Sequence, residues 1–115
     1  GFVVPVPADK RDAYLASARM GWKIFKKYGA RQMVETLSDD IPEGELTDFK
    51  RSVAAKPGEI VAFSWIVWPD KATRNAGMEK MMKDPEMAAM SDMPFDMKRM
   101  IYGGFIPIFD SEGAP

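Results

Sequence analysis

Residues Ile60 to Trp68 read IVAFSWIVW, and the fold turns on this stretch. Only Ser64 is polar, so an extended strand here presents an apolar side chain to both of its alternating faces. Strands of that kind are covered on both sides. The turn Lys56-Pro57-Gly58-Glu59 leads into it, and Pro69 ends it.

Downstream, Asp70 is placed to cap a helix over Lys71 to Lys83, and Asp84-Pro85 starts a short second segment with proline at its first position. A loop spans Ser91 to Asp96. The run Arg99 to Phe109 (RMIYGGFIPIF) reads as the last strand, and the tail 110–115 as frayed. Upstream, Phe2 to Val6 is β-branched and aromatic, a strand in which Pro5 marks an edge or a ladder interruption. Asp9 is placed to cap a helix whose Tyr14, Ala18, Trp22 and Phe25 share one apolar face, and Gly29 stops it. Gln32 to Ser38 alternates as a second strand, the stretch DDIPEGE is an acidic turn, and Asp48 to Ala55 reads as a weaker strand.

The order strand, helix, two or three strands, helix, strand predicts a single α+β domain over 1–115. Its expected form is ferredoxin-like, an antiparallel sheet with two main helices on one face. Helices on one face leave the other face of Ile60 to Trp68 bare. A second copy packed sheet to sheet supplies the cover, so the chain is expected to form a homodimer.

Composition narrows the chemistry. The 115 residues include no histidine and no cysteine. That excludes Ser-His-Asp and Cys-His nucleophiles and disulfides, and it argues against zinc and against His- or Cys-ligated haem. No metal and no cofactor are therefore expected. Sixteen basic against seventeen acidic residues give a net charge of −1, which does not favour nucleic acid. Seven bases crowd residues 9–31 and six acids residues 35–48, surfaces suited to solvent or to matching between partners. The sequence offers no membrane span and no signal peptide, so a cytoplasmic location is the expectation.

The runs FSWIVWPDKATRNAGMEKMMKDPEM (Phe63 to Met87) and MPFDMKRMIYGGF (Met93 to Phe105) resemble the YbaA-like family of conserved hypothetical proteins. The opening GFVVPVPADKRDAY and the step LTDF (Leu46 to Phe49) agree with it. The family is of unknown function, and the resemblance implies the dimeric α+β barrel superfamily. It implies no reaction and no accepted catalytic residues. Other branches of that superfamily include cofactor-free monooxygenases, isomerases and His-dependent haem enzymes, and the last need a ligand this chain lacks.

Three constellations suggest sites. Eight of ten methionines lie between Met78 and Met100, many at three-residue steps. Packing beneath the second helix explains them better than a soft-metal site. Trp65, Trp68, Arg74, Asn75, Arg99 and Tyr102 offer indoles, a phenol and guanidinium groups for a small planar or anionic molecule, between the second helix and the sheet. Any acid–base step falls to Tyr102, Asp96 or a lysine, with Arg74 or Arg99 holding an anion, while Asp96 beside Lys98 and Arg99 reads first as an ion pair pinning the loop. The expectation is a small-molecule-binding homodimer, with cofactor-independent catalysis as an extension. The alternative is a non-catalytic assembly or protein-interaction module.

Overall fold

The computed structural model describes residues 1–90 and 93–113, so Ser91 and Asp92 of the expected loop and the last two residues of the expected tail lie outside the described residues. Strand β3 (Glu59–Val67) is the internal strand that its composition demands. It pairs antiparallel with β1 (Phe2–Pro7) on one side and with β2 (Gln32–Leu37) on the other. A two-residue β4 (Ile101–Tyr102) adds to β1, giving the order β2-β3-β1-β4. Four antiparallel strands with helices agree with the ferredoxin-like α+β expectation.

Register sorts the side chains. Val4 stands opposite Ala62 and Val6 opposite Ile60, and this face meets helix α1 (Arg11–Lys27). Val4, Val6, Tyr14 and Ala62 form the buried core, with Phe2, Leu37, Ile60, Phe95 and Met100 packed around it. The other face carries Val3 opposite Phe63 and Val34 opposite Trp65. There Phe63 is 44%, Trp65 38%, Val67 38% and Ile101 46% exposed. The sheet is thus packed on one side and largely bare on the other.

Pro5 sits in an internal strand without breaking the β3 ladder. Gly1 and Gly103 exchange bonds of 3.0 and 3.1 Å, while the Ala8 N–H donates to the Gly58 carbonyl. Peptide groups alternate between neighbours, so the odd residues of β1 point toward β4. The N–H that Pro5 lacks therefore falls beyond the two residues of β1 that β4 reaches.

Helix α3 (Lys71–Met82) starts at Asp70, whose carboxylate accepts from the Thr73 N–H, and α4 (Pro85–Ala89) starts at Asp84, which accepts from the Glu86 N–H. Both follow the sequence reading. Helix α1 ends at Gly29, whose φ of 106° is the left-handed conformation glycine tolerates.

Three elements differ from expectation. Asp9 does not cap α1: residues 8–10 form a 3-10 turn behind Pro7, and Lys10 precedes the helix without a side-chain cap. Residues 48–55 are not a strand, because Asp48 accepts from the Arg51 N–H and nucleates the short helix α2 (Phe49–Ser52). The expected last strand shrinks to Ile101–Tyr102. Toward Arg99 the next β1 position facing it is Pro5, which has no N–H to donate; in the other direction the pairing ends with Gly1 and Gly103, and Phe105, Ile106, Ile108 and Phe109 lie exposed beyond Gly103-Gly104. Among the described residues no helix is long and apolar enough to cross a membrane.

Gly77 lets α3 approach α1. A methyl group there would lie 2.7 and 2.9 Å from ring atoms of Trp68 and 2.9 Å from the Tyr28 carbonyl oxygen. Alanine gains about 1 kcal/mol of helix propensity, but crowding against a rigid indole and backbone costs about 1–3 kcal/mol. Gly77→Ala is therefore expected to destabilise, seen in urea unfolding as a lower midpoint at unchanged slope.

Candidate functional site

The residues singled out from sequence do not form one pocket. Trp65 and Trp68 face opposite sides, as their odd spacing requires: Trp65 lies on the bare face beside Phe63, with ring centres 5.8 Å apart. Trp68 goes under α3, edge-on to Phe25 of α1 at 6.2 Å and against Gly77. Space beneath α3, the expected second helix, is filled there by an indole. Arg74 and Asn75 lie in the first turns of α3, where Arg74 Nε and Nη2 each donate to Asn75 Oδ1 at 3.3 Å and the guanidinium abuts Gly104. Tyr102 is 79% exposed on β4.

Arg99 sits at the other end of β3 and is heavily engaged. Nη1 and Nη2 donate to the two oxygens of Glu59 at 2.7 and 2.8 Å, Nε donates to Asp96 Oδ2 at 2.8 Å, and Nη1 also reaches the Ala54 carbonyl at 2.9 Å. Both oxygens of Glu59 are used in a fork-to-fork pair. The Arg99 hydrogen bonds hold the Glu59 carboxyl down at about 2. Asp96 is likewise lowered, first by Arg99 and then by the Lys98 N–H that it accepts. Asp96 thus takes the loop-pinning role expected for it. Arg99, expected to hold an anion, makes four hydrogen bonds inside the protein.

Beside this network an open groove of about 450 Å³ is lined by Pro7, Lys10, Ala13, Glu59, Met93, Pro94, Phe95, Asp96 and Arg99. It runs between the start of α1 and the segment 93–99.

Two polar clusters escaped the sequence reading. The Tyr14 hydroxyl donates to Glu35 Oε1 at 2.7 Å, and Ser64 donates to the same oxygen. Burial, then Glu35, pushes the Tyr14 phenol upward. Ser64 was visible as the one polar residue of Ile60 to Trp68; its partner Glu35 faces it in the register. At the far end of α1, Asp84 Oδ2 accepts from Tyr28 Oη at 2.5 Å and from Lys27 Nζ at 3.1 Å. The Tyr28 hydrogen bond leads in holding the Asp84 carboxyl at about 2. Asp84, 3% exposed, ties α1 to the α3–α4 junction.

The methionines divide. Met81 is buried at 3%, whereas Met78, Met82 and Met97 are exposed at 45, 86 and 56%. Packing beneath α3 therefore accounts for Met81 and not for the whole cluster, because α3 leans on α1 through the narrow strip at Gly77.

Residues 1–97 match the family model of a protein of unknown function, DUF1428. The chain belongs to that family. It is 51% identical over 111 residues to the uncharacterized protein YbaA of Escherichia coli K12, covering 96% of this chain and 95% of that one, and equally to YbaA of Shigella flexneri. These relatives bring the family and no reaction, in agreement with the resemblance of the MPFD…KRMIYGGF segment.

Glu59 and Asp84 set an acid limb. Their folded values of about 2 lie below the ordinary 4.5 and 3.8, so their stabilisation is present above those ordinary values and is lost as pH falls toward 2. The melting temperature of the wild type is expected to fall steeply between about pH 4.5 and 2. Glu59→Gln should lower it by about 5 °C at pH 7, with the gap to wild type closing at pH 2. Parallel curves for the two proteins would contradict this assignment.

Proposed function

We propose that this protein works as a homodimer in which the bare face of each sheet packs on that of a second copy, an assembly module before anything else. The carrying observation is the exposed row Phe63, Trp65, Val67 and Ile101 on one face of a sheet whose other face holds the core. Large contiguous apolar patches on a soluble chain mark interaction surfaces. The molecule is also flat, 38 × 37 × 21 Å, with a radius of gyration of 15.1 Å where about 13 Å is usual for this length. Its accessible surface is 8489 Å², against about 6300 Å² for a compact monomer of this mass. A standard interface buries roughly 800 Å² per partner, well within that surplus. Face-to-face packing is self-complementary about a two-fold axis, which closes the assembly at two.

A ligand held between α3 and the sheet by Trp65, Trp68, Arg74, Asn75 and Arg99 draws no support from the geometry, since Trp68 fills that space, Trp65 lies on the bare face, and Arg99 lies at the other end of β3 from the Arg74–Asn75 pair.

Dimer formation couples folding to concentration. The melting temperature of the wild type is expected to rise with protein concentration, and Trp65→Asp should remove that dependence while leaving the helical circular dichroism intact. A wild-type melting temperature constant over a hundredfold dilution would refute the proposal.

A further inference from the structure

The groove beside α1 has a charged floor that is almost fully committed and one cation that is not. Glu59 gives both oxygens to Arg99 and accepts the Lys56 N–H at 2.6 Å, and Asp96 gives one oxygen to Arg99 and the other to the Lys98 N–H. Neither carboxylate presents an empty hydrogen-bonding oxygen toward a ligand. Lys10, standing in the 3-10 turn at the rim, has no carboxylate within 4 Å among the described residues. The opposite wall is apolar and flat: Pro94 and Phe95, the latter fixed edge-on against Tyr14 with ring centres 5.7 Å apart. Ala13, exposed on α1, leaves the groove open where a larger side chain would fill it.

We propose that this groove is a binding site for a small planar monoanion, an aromatic or unsaturated carboxylate, with Lys10 holding the carboxylate and Pro94 and Phe95 receiving the ring. Lys10, the one cation of this lining without a carboxylate partner among the described residues, sets the charge at one, and the flat wall sets the shape. Arg99 and its two carboxylate partners form a rigid floor that keeps the segment 93–99, and hence Phe95, at a fixed distance from α1. The groove lies at the Glu59 end of β3, and among the described residues its lining includes none of Phe63, Trp65, Val67 and Ile101, so this site is built apart from the row on which the proposed dimer rests.

The test is a chemical-shift titration of the ¹⁵N-labelled full chain with 2-naphthoate, with neutral 2-naphthalenemethanol as control. Saturable shifts clustered at Lys10, Ala13 and Asp96, with a dissociation constant below about 1 mM, are expected for the carboxylate and not for the alcohol. Lys10→Met, which keeps the apolar stem, should weaken binding about fivefold. Ala13→Phe, which adds no charge and leaves the floor intact, should abolish it. Both variants should retain the wild-type spectrum elsewhere, which separates lost binding from lost folding. No saturable shift, shifts centred outside the groove, equal binding of the alcohol, or unchanged affinity in Lys10→Met would each overturn the proposal.

Discussion

Strand β3 has two apolar faces, and α1 and α3 lie over only one of them. That inequality organises the rest of the structure. On the covered side, Ala62 and Ser64 are fully buried, and the sheet can pack Val4 and Val6 against α1. On the other side, α2 reaches only one end of the face, where Phe49 lies 5.7 Å from Phe63. From Trp65 onward this face stays open among the described residues, with Trp65 and Val67 each 38% exposed. Burying a large side chain contributes roughly 1.5–3 kcal/mol, so a row of four half-exposed ones is a substantial driving force left unused in the single chain.

Within the covered layer, polar contacts fix what hydrophobic packing leaves loose. Glu35 is drawn inward because Tyr14 and Ser64 both donate to it, so a carboxylate beside the core is matched by two hydroxyls. Asp84 does the same at the end of α1, joining Lys27 and Tyr28 to the cap of α4. Arg99 locks the segment 93–99 to the start of β3. These three clusters sit at the middle and the two ends of one helix–sheet layer, and they set the positions of α1, of the α3–α4 junction and of the groove wall.

Much of this layout was legible in the sequence where the signals are local. The unbroken apolar run of β3, the caps Asp70 and Asp84, the stop at Gly29 and the opposite faces of Trp65 and Trp68 each depend on neighbours a few residues away. What stayed hidden depends on partners distant in sequence. Residues 48–55 alternate like a strand, yet the local bond from the Arg51 N–H to Asp48 won. Where β4 starts depended on the missing N–H of Pro5, which matters only once β1 is known to lie beside it. Arg99 read as a partner of nearby Asp96 and as a candidate pocket residue, while Glu59, which takes two of its hydrogen bonds, lies 40 residues earlier. The same holds for Glu35 with Tyr14, 21 residues apart, which meet only because α1 packs on the face of the sheet that carries Glu35.

In the proposed dimer a second copy covers the bare face of the sheet. Sedimentation equilibrium of the full chain at low micromolar concentration tests it most directly. The predicted result is a single species of twice the 12.9 kDa chain mass. A single species at the chain mass across that range would contradict it.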